Sequence, residues 1–363
     1  MYQYSRTGIA NLPLHGGKAP AWLFSRMTKL AREICIVVVE EFGPDEMLRK
    51  MSDPYWFQAF GCALGFDWHS SGLTTTTCGA LKEGIREIEA ELGLFVAGGK
   101  GGTSRQTPQQ IEARGDFIAV DPSTLVYNSR MVAKVDSAAL QDGYQLYHHV
   151  FLFTKAGSWA VVQQGMNEKN RYARRYHWLG ESVSDFVCEP HAAICAQQRG
   201  EALNLVAQES GSARKVIAQI SIENKPEKTL AELQRLRTLE LPRRHQILVS
   251  DIHPDRLKKT ITATYERTPA DFEELLSLPG VGPKTVRALS LLSELIYAAP
   301  PSFNDPARFS FAHGGKDGIP FPVDRPTYDQ SIELLRKAVL RSGIENTEKR
   351  QAINRLDDWH LGR

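Results

Sequence analysis

The sequence has no run of apolar residues long enough to cross a bilayer. Its longest, Ile34-Cys35-Ile36-Val37-Val38-Val39, is far short of the roughly 20 residues that a membrane helix needs. Residues 1–20 lack the basic start, apolar centre and small-residue cleavage site of a secretory signal, so the expected location is cytoplasmic, with no membrane partner. Cysteine is scarce: Cys35, Cys62, Cys78, Cys188 and Cys195 are odd in number and form no CxxC pair, which argues against a disulfide framework or a four-cysteine zinc site. Excess charge is missing too, with 44 Lys+Arg against 42 Asp+Glu and a net charge of +2. The balance also holds over residues 1–200, which carry 20 basic and 20 acidic residues. A broadly basic surface is therefore excluded, and any nucleic-acid contact must come from local arrangement. The glycine-rich stretch 98–105 lacks the Gly-Lys-Ser/Thr ending of a P-loop, because Gly101 follows Lys100, so no nucleoside triphosphate is expected.

What is present is an ordinary globular composition, 42% hydrophobic and 24% charged over 363 residues, enough for two domains. The pattern predicts helices over residues 21–41 and 45–61. A hairpin follows over 147–155 and 158–164, with Ala156-Gly157 between its aromatic and β-branched strands. Stretch 98–105 reads as a loop offering amides, Lys100, Ser104 and Arg105 to a phosphate. From about residue 201 nearly everything reads helical, including 201–208. The expectation is an α+β fold: a mixed α/β domain over residues 1–200, a helical linker over 201–227 and an all-α domain over 228–363.

The strongest motif is Leu278-Pro279-Gly280-Val281-Gly282-Pro283-Lys284-Thr285, between two amphipathic helices. Two glycines one residue apart allow a tight reversal, Val281 can tuck beneath it, and Pro283 suits a first helical turn. The amides then face an anion. This stretch resembles the helix-hairpin-helix element. The resemblance implies a DNA phosphate held by Gly280, Val281, Gly282, Lys284 and Thr285, and a monovalent cation on carbonyls of Leu276, Leu278 and Val281. Such backbone donors need few basic side chains, which fits the small net charge.

Pro322-Val323-Asp324-Arg325 resembles the segment that follows this hairpin in DNA glycosylases. That likeness implies base excision or abasic-strand cleavage, with Lys284 as nucleophile and Asp324 as its electrostatic partner. A nucleophilic lysine must lose its proton, and burial at a helix N-terminus would assist that. The spacing from Lys284 to Asp324 is longer than in those enzymes, and Asp324 reads equally as a helix cap.

The first half holds polar and aromatic clusters at 65–72, 142–149, 161–167, 171–178 and 189–191. As a set, with Asp324-Arg325-Pro326-Thr327-Tyr328-Asp329, they resemble domain-of-unknown-function family 763, a prokaryotic family whose name implies no activity. Arg171, Arg174 and Arg175 alternate with aromatics, a pattern that suits phosphate contact and stacking as well as it suits an amphipathic helix. Asp67, His69, Asp142, His148, His149, Gln164 and His177 form an alternative active site, that of a DNA nuclease using a divalent metal with the hairpin as its handle. No pair among them has diagnostic ligand spacing. On a strand, His148 and His149 would point apart, as would Gln163 and Gln164. A third reading is a DNA-structure-binding protein without chemistry.

Overall fold

Residues 19–66, 71–196, 199–236, 238, 253–307 and 325–360 are described in a computed structural model of the chain. Five helices come first: α1 (Ala21–Phe42), α2 (Pro44–Ser52), α3 (Pro54–Leu64), α4 (Gly72–Ile85) and α5 (Glu89–Leu92). The single helix expected over 45–61 is broken at Asp53. Pro54 has no amide hydrogen to continue the helix, and the Asp53 carboxylate caps α3 by accepting from the amides of Tyr55 (2.8 Å) and Trp56 (3.2 Å). Strand β1 (Leu94–Lys100) and a 3-10 turn (Gly101–Gln106) replace the loop expected at 98–105. Then come α6 (Thr107–Glu112) and α7 (Pro122–Lys134), which runs into a π-helical turn at Val135–Ala139.

β2 (Leu140–Gln141), β3 (Gln145–Thr154), β4 (Trp159–Asn167), β5 (Tyr172–Leu179), β6 (Ala193–Cys195) and β7 (Glu201–Asn204) follow. The main sheet is antiparallel in the order β1-β3-β4-β5-β6. The rest of the described chain comprises α8 (Gly211–Glu223), α9 (Pro226–Leu236), α10 (Pro254–Arg267), α11 (Phe272–Ser277), α12 (Pro283–Leu295), β8 (Ser302–Asn304), α13 (Arg325–Arg341) and α14 (Asn346–His360). Residues 201–208, read as helix from the sequence, hold a strand instead, because β7 pairs with β2 on one side and β8 on the other. Partners distant in sequence decide that segment.

The fold is α+β, but its cores do not divide near residue 200. One face of the main sheet buries Phe95, Phe151, Phe153, Val161 and Trp178 with Ile217, Leu275 and Val286 from α8, α11 and α12. The opposite face buries Val96, Val150, Leu152 and Val162 with the first four helices and with Leu335, Val339, Ala352 and Leu356 from α13 and α14. The last two helices thus return to the first ones, across the boundary that composition suggested. All five cysteines are free thiols, and burial pushes Cys35 and Cys78 up to about 12. Among the described residues no helix is long and apolar enough to cross a membrane.

Candidate functional site

Antiparallel register lines up Lys100, His148, Gln164, Arg175 and Cys195 in one row across the five strands of the main sheet. The neighbouring row, Gly99, His149, Gln163, Tyr176 and Ile194, faces the other side, since side chains alternate along a strand. The residues grouped from sequence as one alternative active site are therefore divided between two faces. Asp67 and His69 lie outside the described residues.

On the face toward α1–α4, the Gln164 amide donates to the Ser71 carbonyl (2.9 Å) and to the Tyr147 hydroxyl. Arg175 is fully buried. Its Nε donates to His177 Nε2 (2.9 Å), and its guanidinium sits 4.6 Å from the Phe57 ring centre. His177 Nδ1 donates to the Met51 carbonyl (2.9 Å). His148 is buried with no hydrogen-bond partner on either ring nitrogen among the described residues, and burial lowers it to about 3, aided by His149 and Lys100. Burial also holds His177 well below the ordinary histidine value, with Arg175 adding to the effect.

Arg174 points to the other face, buried against Asp142 and Asp305. Arg174 and Arg175 thus stand inside the protein, and the expectation that they meet DNA phosphates is corrected: both lie on β5, a strand covered on both faces at these positions. Arg171 alone of the three is exposed, in the turn between β4 and β5, at φ 60°.

A buried chain of hydrogen bonds crosses the same face as Arg174. Ser129 Oγ lies 2.9 Å from His149 Nε2, His149 Nδ1 lies 2.7 Å from Gln163 Oε1, and Gln163 Nε2 donates to Asp136 Oδ2 (2.5 Å). Asp136 also accepts from Trp178 Nε1 (2.9 Å) and His191 Nε2 (2.5 Å). Only a donor can face the Asp136 carboxylate, so the Gln163 amide has one orientation, with its oxygen toward His149. His149 must then carry its proton on Nδ1, and Ser129 must donate to Nε2. Burial lowers His149, against the opposing pull of Gln163 and Asp136. Asp136 reaches this position from the π turn that ends α7, an irregularity that sequence periodicity does not announce.

Ser129, His149 and Gln163 open onto a cavity of about 270 Å³ between α7, the start of β3 and the turn before α6, with Arg105 and Arg130 on its rim. Among the described residues no acidic side chain lines it.

The α11–α12 turn is held from below by the same helix that carries Ser129. Lys134 Nζ donates to the carbonyls of Leu278 (2.9 Å) and Val281 (2.6 Å). Two of the three carbonyls expected to hold a free monovalent cation are thus bonded to an ammonium from the chain itself. Burial lowers the Lys134 ammonium below the ordinary lysine value. Tyr127 on α7 adds a bond to Glu273 (2.8 Å), and Gln141 donates to the Pro283 carbonyl (2.9 Å). Gly280 takes φ 87°, a left-handed conformation that needs glycine, while Val281 is buried beneath the turn. Gly282 is the N-cap of α12, with open space where a Cβ would stand. Leu276 and Thr285 are buried, and Lys284 is exposed. The burial that would have made Lys284 a nucleophile is not there. Asp324 lies outside the described residues.

Removing the built-in ammonium gives a direct test. Lys134→Ala leaves two carbonyls without their charged donor and should cost about 2–3 kcal/mol, given about 1.5–3 kcal/mol for each charge-assisted bond and partial exposure. Part of that loss should return when K⁺ replaces tetramethylammonium at constant ionic strength. Thermal melts of the variant in the two salts measure both effects.

Among the described residues no group of three or more His, Cys, Asp or Glu is placed to hold a metal ion. Sequence reasoning missed Ser129, Asp136 and Lys134. All three stand on one helix and its π extension, where nothing local distinguishes them from ordinary helical residues. A family model described as "Protein of unknown function (DUF763)" matches residues 8–323. No curated protein and no solved structure matches the chain.

Proposed function

The chain belongs to the DUF763 family, whose description carries no activity, and from its residues we propose a DNA-binding protein that grips the backbone at the α11–α12 turn and leads the strand to the cleft beside α7. The observation that carries this reading is the Lys134 ammonium on the Leu278 and Val281 carbonyls. It neutralises the carbonyl side of the turn and leaves the amide side, at Gly282 and the start of α12, to meet an anion. Ser129 precedes Lys134 by five residues on the same helix, ~7.5 Å along its axis. A backbone held at the turn therefore passes close to the arginine-rimmed cleft. Lys284, exposed in the first turn of α12, serves in this reading as a phosphate contact. It takes the part of electrostatic positioning, and base excision through it has no support from its surroundings.

Gly282→Asp tests the grip. Open space and an extended N-cap conformation accept the side chain, and aspartate is a good cap, so the melting temperature should hold or rise. The new carboxylate takes the place of the phosphate, and affinity for a DNA duplex should fall at least ~10-fold, or about 1.4 kcal/mol. Unchanged affinity would remove the turn from the interface. For the unaltered protein, the plot of log K against log salt should be shallow, about −2 to −4 for two to four phosphates, and Lys284→Ala should flatten it by about 1. Filter binding or fluorescence anisotropy across a salt series checks both numbers.

A further inference from the structure

We propose that Ser129 is a nucleophile and His149 its general base, acting on a phosphodiester that enters the cleft between α7 and the start of β3. Only the choice of substrate rests on the DNA-binding reading.

The first argument is the direction of the bonds. Ser129 donates to His149, His149 to Gln163 and Gln163 to Asp136, so every proton along the chain points toward one buried carboxylate. A hydroxyl bonded to an imidazole whose other nitrogen is oriented by a third group is the arrangement an activated serine requires. Here the third group is an amide that passes on the polarity of Asp136. When His149 takes the serine proton, the imidazolium that forms is stabilised by the Gln163 oxygen, which Asp136 holds in place.

The second argument is that Ser129 does not bond back into its own helix. Ser52, Ser137 and Ser221 all bond back to the carbonyl four residues earlier in their own helices, the usual resting place for such a hydroxyl. Ser129 instead reaches across to the sheet. The third is charge: among the described residues the cleft carries Arg105 and Arg130 and no carboxylate, which favours an anionic ester over a neutral one.

The chemistry balances without any other reactant than water. The Ser129 oxygen forms a bond to phosphorus as the bond to the departing ester oxygen breaks. The hydroxyl proton moves to His149 Nε2 and then to the departing oxygen, releasing an alcohol. Water next attacks the phosphorylated serine and gives its proton to His149, which returns it to the Ser129 oxygen as that leaves. The sum is one phosphodiester and one water giving one phosphomonoester and one alcohol.

Diisopropyl fluorophosphate is small and uncharged, so it probes the nucleophile without requiring DNA binding. Incubation with the full chain should add one phosphoryl adduct, located at Ser129 by peptide mass analysis. Ser129→Ala should abolish it, and His149→Gln should slow it ~100- to 10,000-fold, the usual contribution of a general base. Melting curves of both variants accompany the rates. An unlabelled wild-type protein would overturn the proposal whatever the variants do, and so would equal labelling rates in wild type and a folded His149→Gln. Bis-p-nitrophenyl phosphate tests the substrate class: hydrolysis lost in Ser129→Ala and weakened in Arg130→Ala supports it, while labelling at Ser129 without hydrolysis overturns the phosphodiester assignment. A fault in the DNA reading shows in DNA affinity alone, and a fault in this one shows in labelling.

Discussion

Arg174→Ala is expected to destabilise the protein by about 3–5 kcal/mol, the usual loss when one member of a buried ion pair is deleted. The guanidinium is clamped on β5: Nη1 bonds to Asp142 Oδ2 (2.9 Å) and Asp305 Oδ1 (3.0 Å), and Nη2 to Asp305 Oδ2 (2.7 Å). All three side chains are at most 3% exposed. Burial works against the charge, but Asp142, Tyr176 and Asp305 outweigh it and hold Arg174 above the ordinary arginine range. The Tyr144 ring, 4.6 Å from the guanidinium carbon, closes the other side. Alanine would leave two carboxylates facing each other out of water, with the Tyr176 hydroxyl (2.7 Å) and backbone amides as their remaining donors among the described residues. Native proteins have about 5–15 kcal/mol to lose, so the urea midpoint should fall by a large fraction. Arg174→Lys should recover little, because a single ammonium cannot reproduce the fork that spans both carboxylates. A loss below about 1 kcal/mol on urea titration would mean the pair is not buried as described.

Acid should weaken the fold well above the pH at which carboxylates titrate. His148 and His177 are buried and neutral in the native state, and both sit below the ordinary histidine value. In the unfolded chain each takes up a proton near pH 6.5. The unfolded state therefore binds more protons, and stability that is fully present above that pH is lost as pH falls, for His148 down to about 3. Each contributes a slope of about 1.4 kcal/mol per pH unit, so the two together give about 3 kcal/mol per unit between pH 6 and 5, with His149 acting in the same direction. Urea midpoints at pH 7, 6 and 5 measure this. His148→Leu separates the residues: it removes no hydrogen bond to any described residue, so stability at pH 7 should hold or rise, and the slope should drop by about 1.4 kcal/mol per unit. A flat profile in the unaltered protein would contradict the burial of both rings.

The hairpin turn was readable because its requirements are local. Gly280 must take a left-handed conformation, Val281 must be apolar to lie beneath it, and Pro283 must begin a helix, so eight consecutive residues spell out the shape. The β3–β4 hairpin was readable for the same reason, with its alternating pattern and Gly157 in the turn. The opposed directions of His148 and His149, and of Gln163 and Gln164, also followed from strand geometry alone. Where the reading failed, partners distant in the chain decided the matter. Arg174 and Arg175 look like a basic surface in sequence. Only Asp142 and Asp305 on one side of the sheet, and Gln58, Phe57 and His177 on the other, show that they are interior.

Near-neutral charge, scattered cysteines and short apolar runs, together with the composition and a tight glycine turn between two helices, were thus determined by the sequence itself, because each depends on residue types or on neighbours a few positions apart. The tertiary structure alone decided that Ser129, His149, Gln163 and Asp136 form one directed chain, and that Lys134 supplies the cation expected from solvent. Both depend on α7 and its π turn being packed between the sheet and α11–α12, and a hydrogen bond of 3 Å between residues up to 147 positions apart leaves no periodic trace in either partner's own segment.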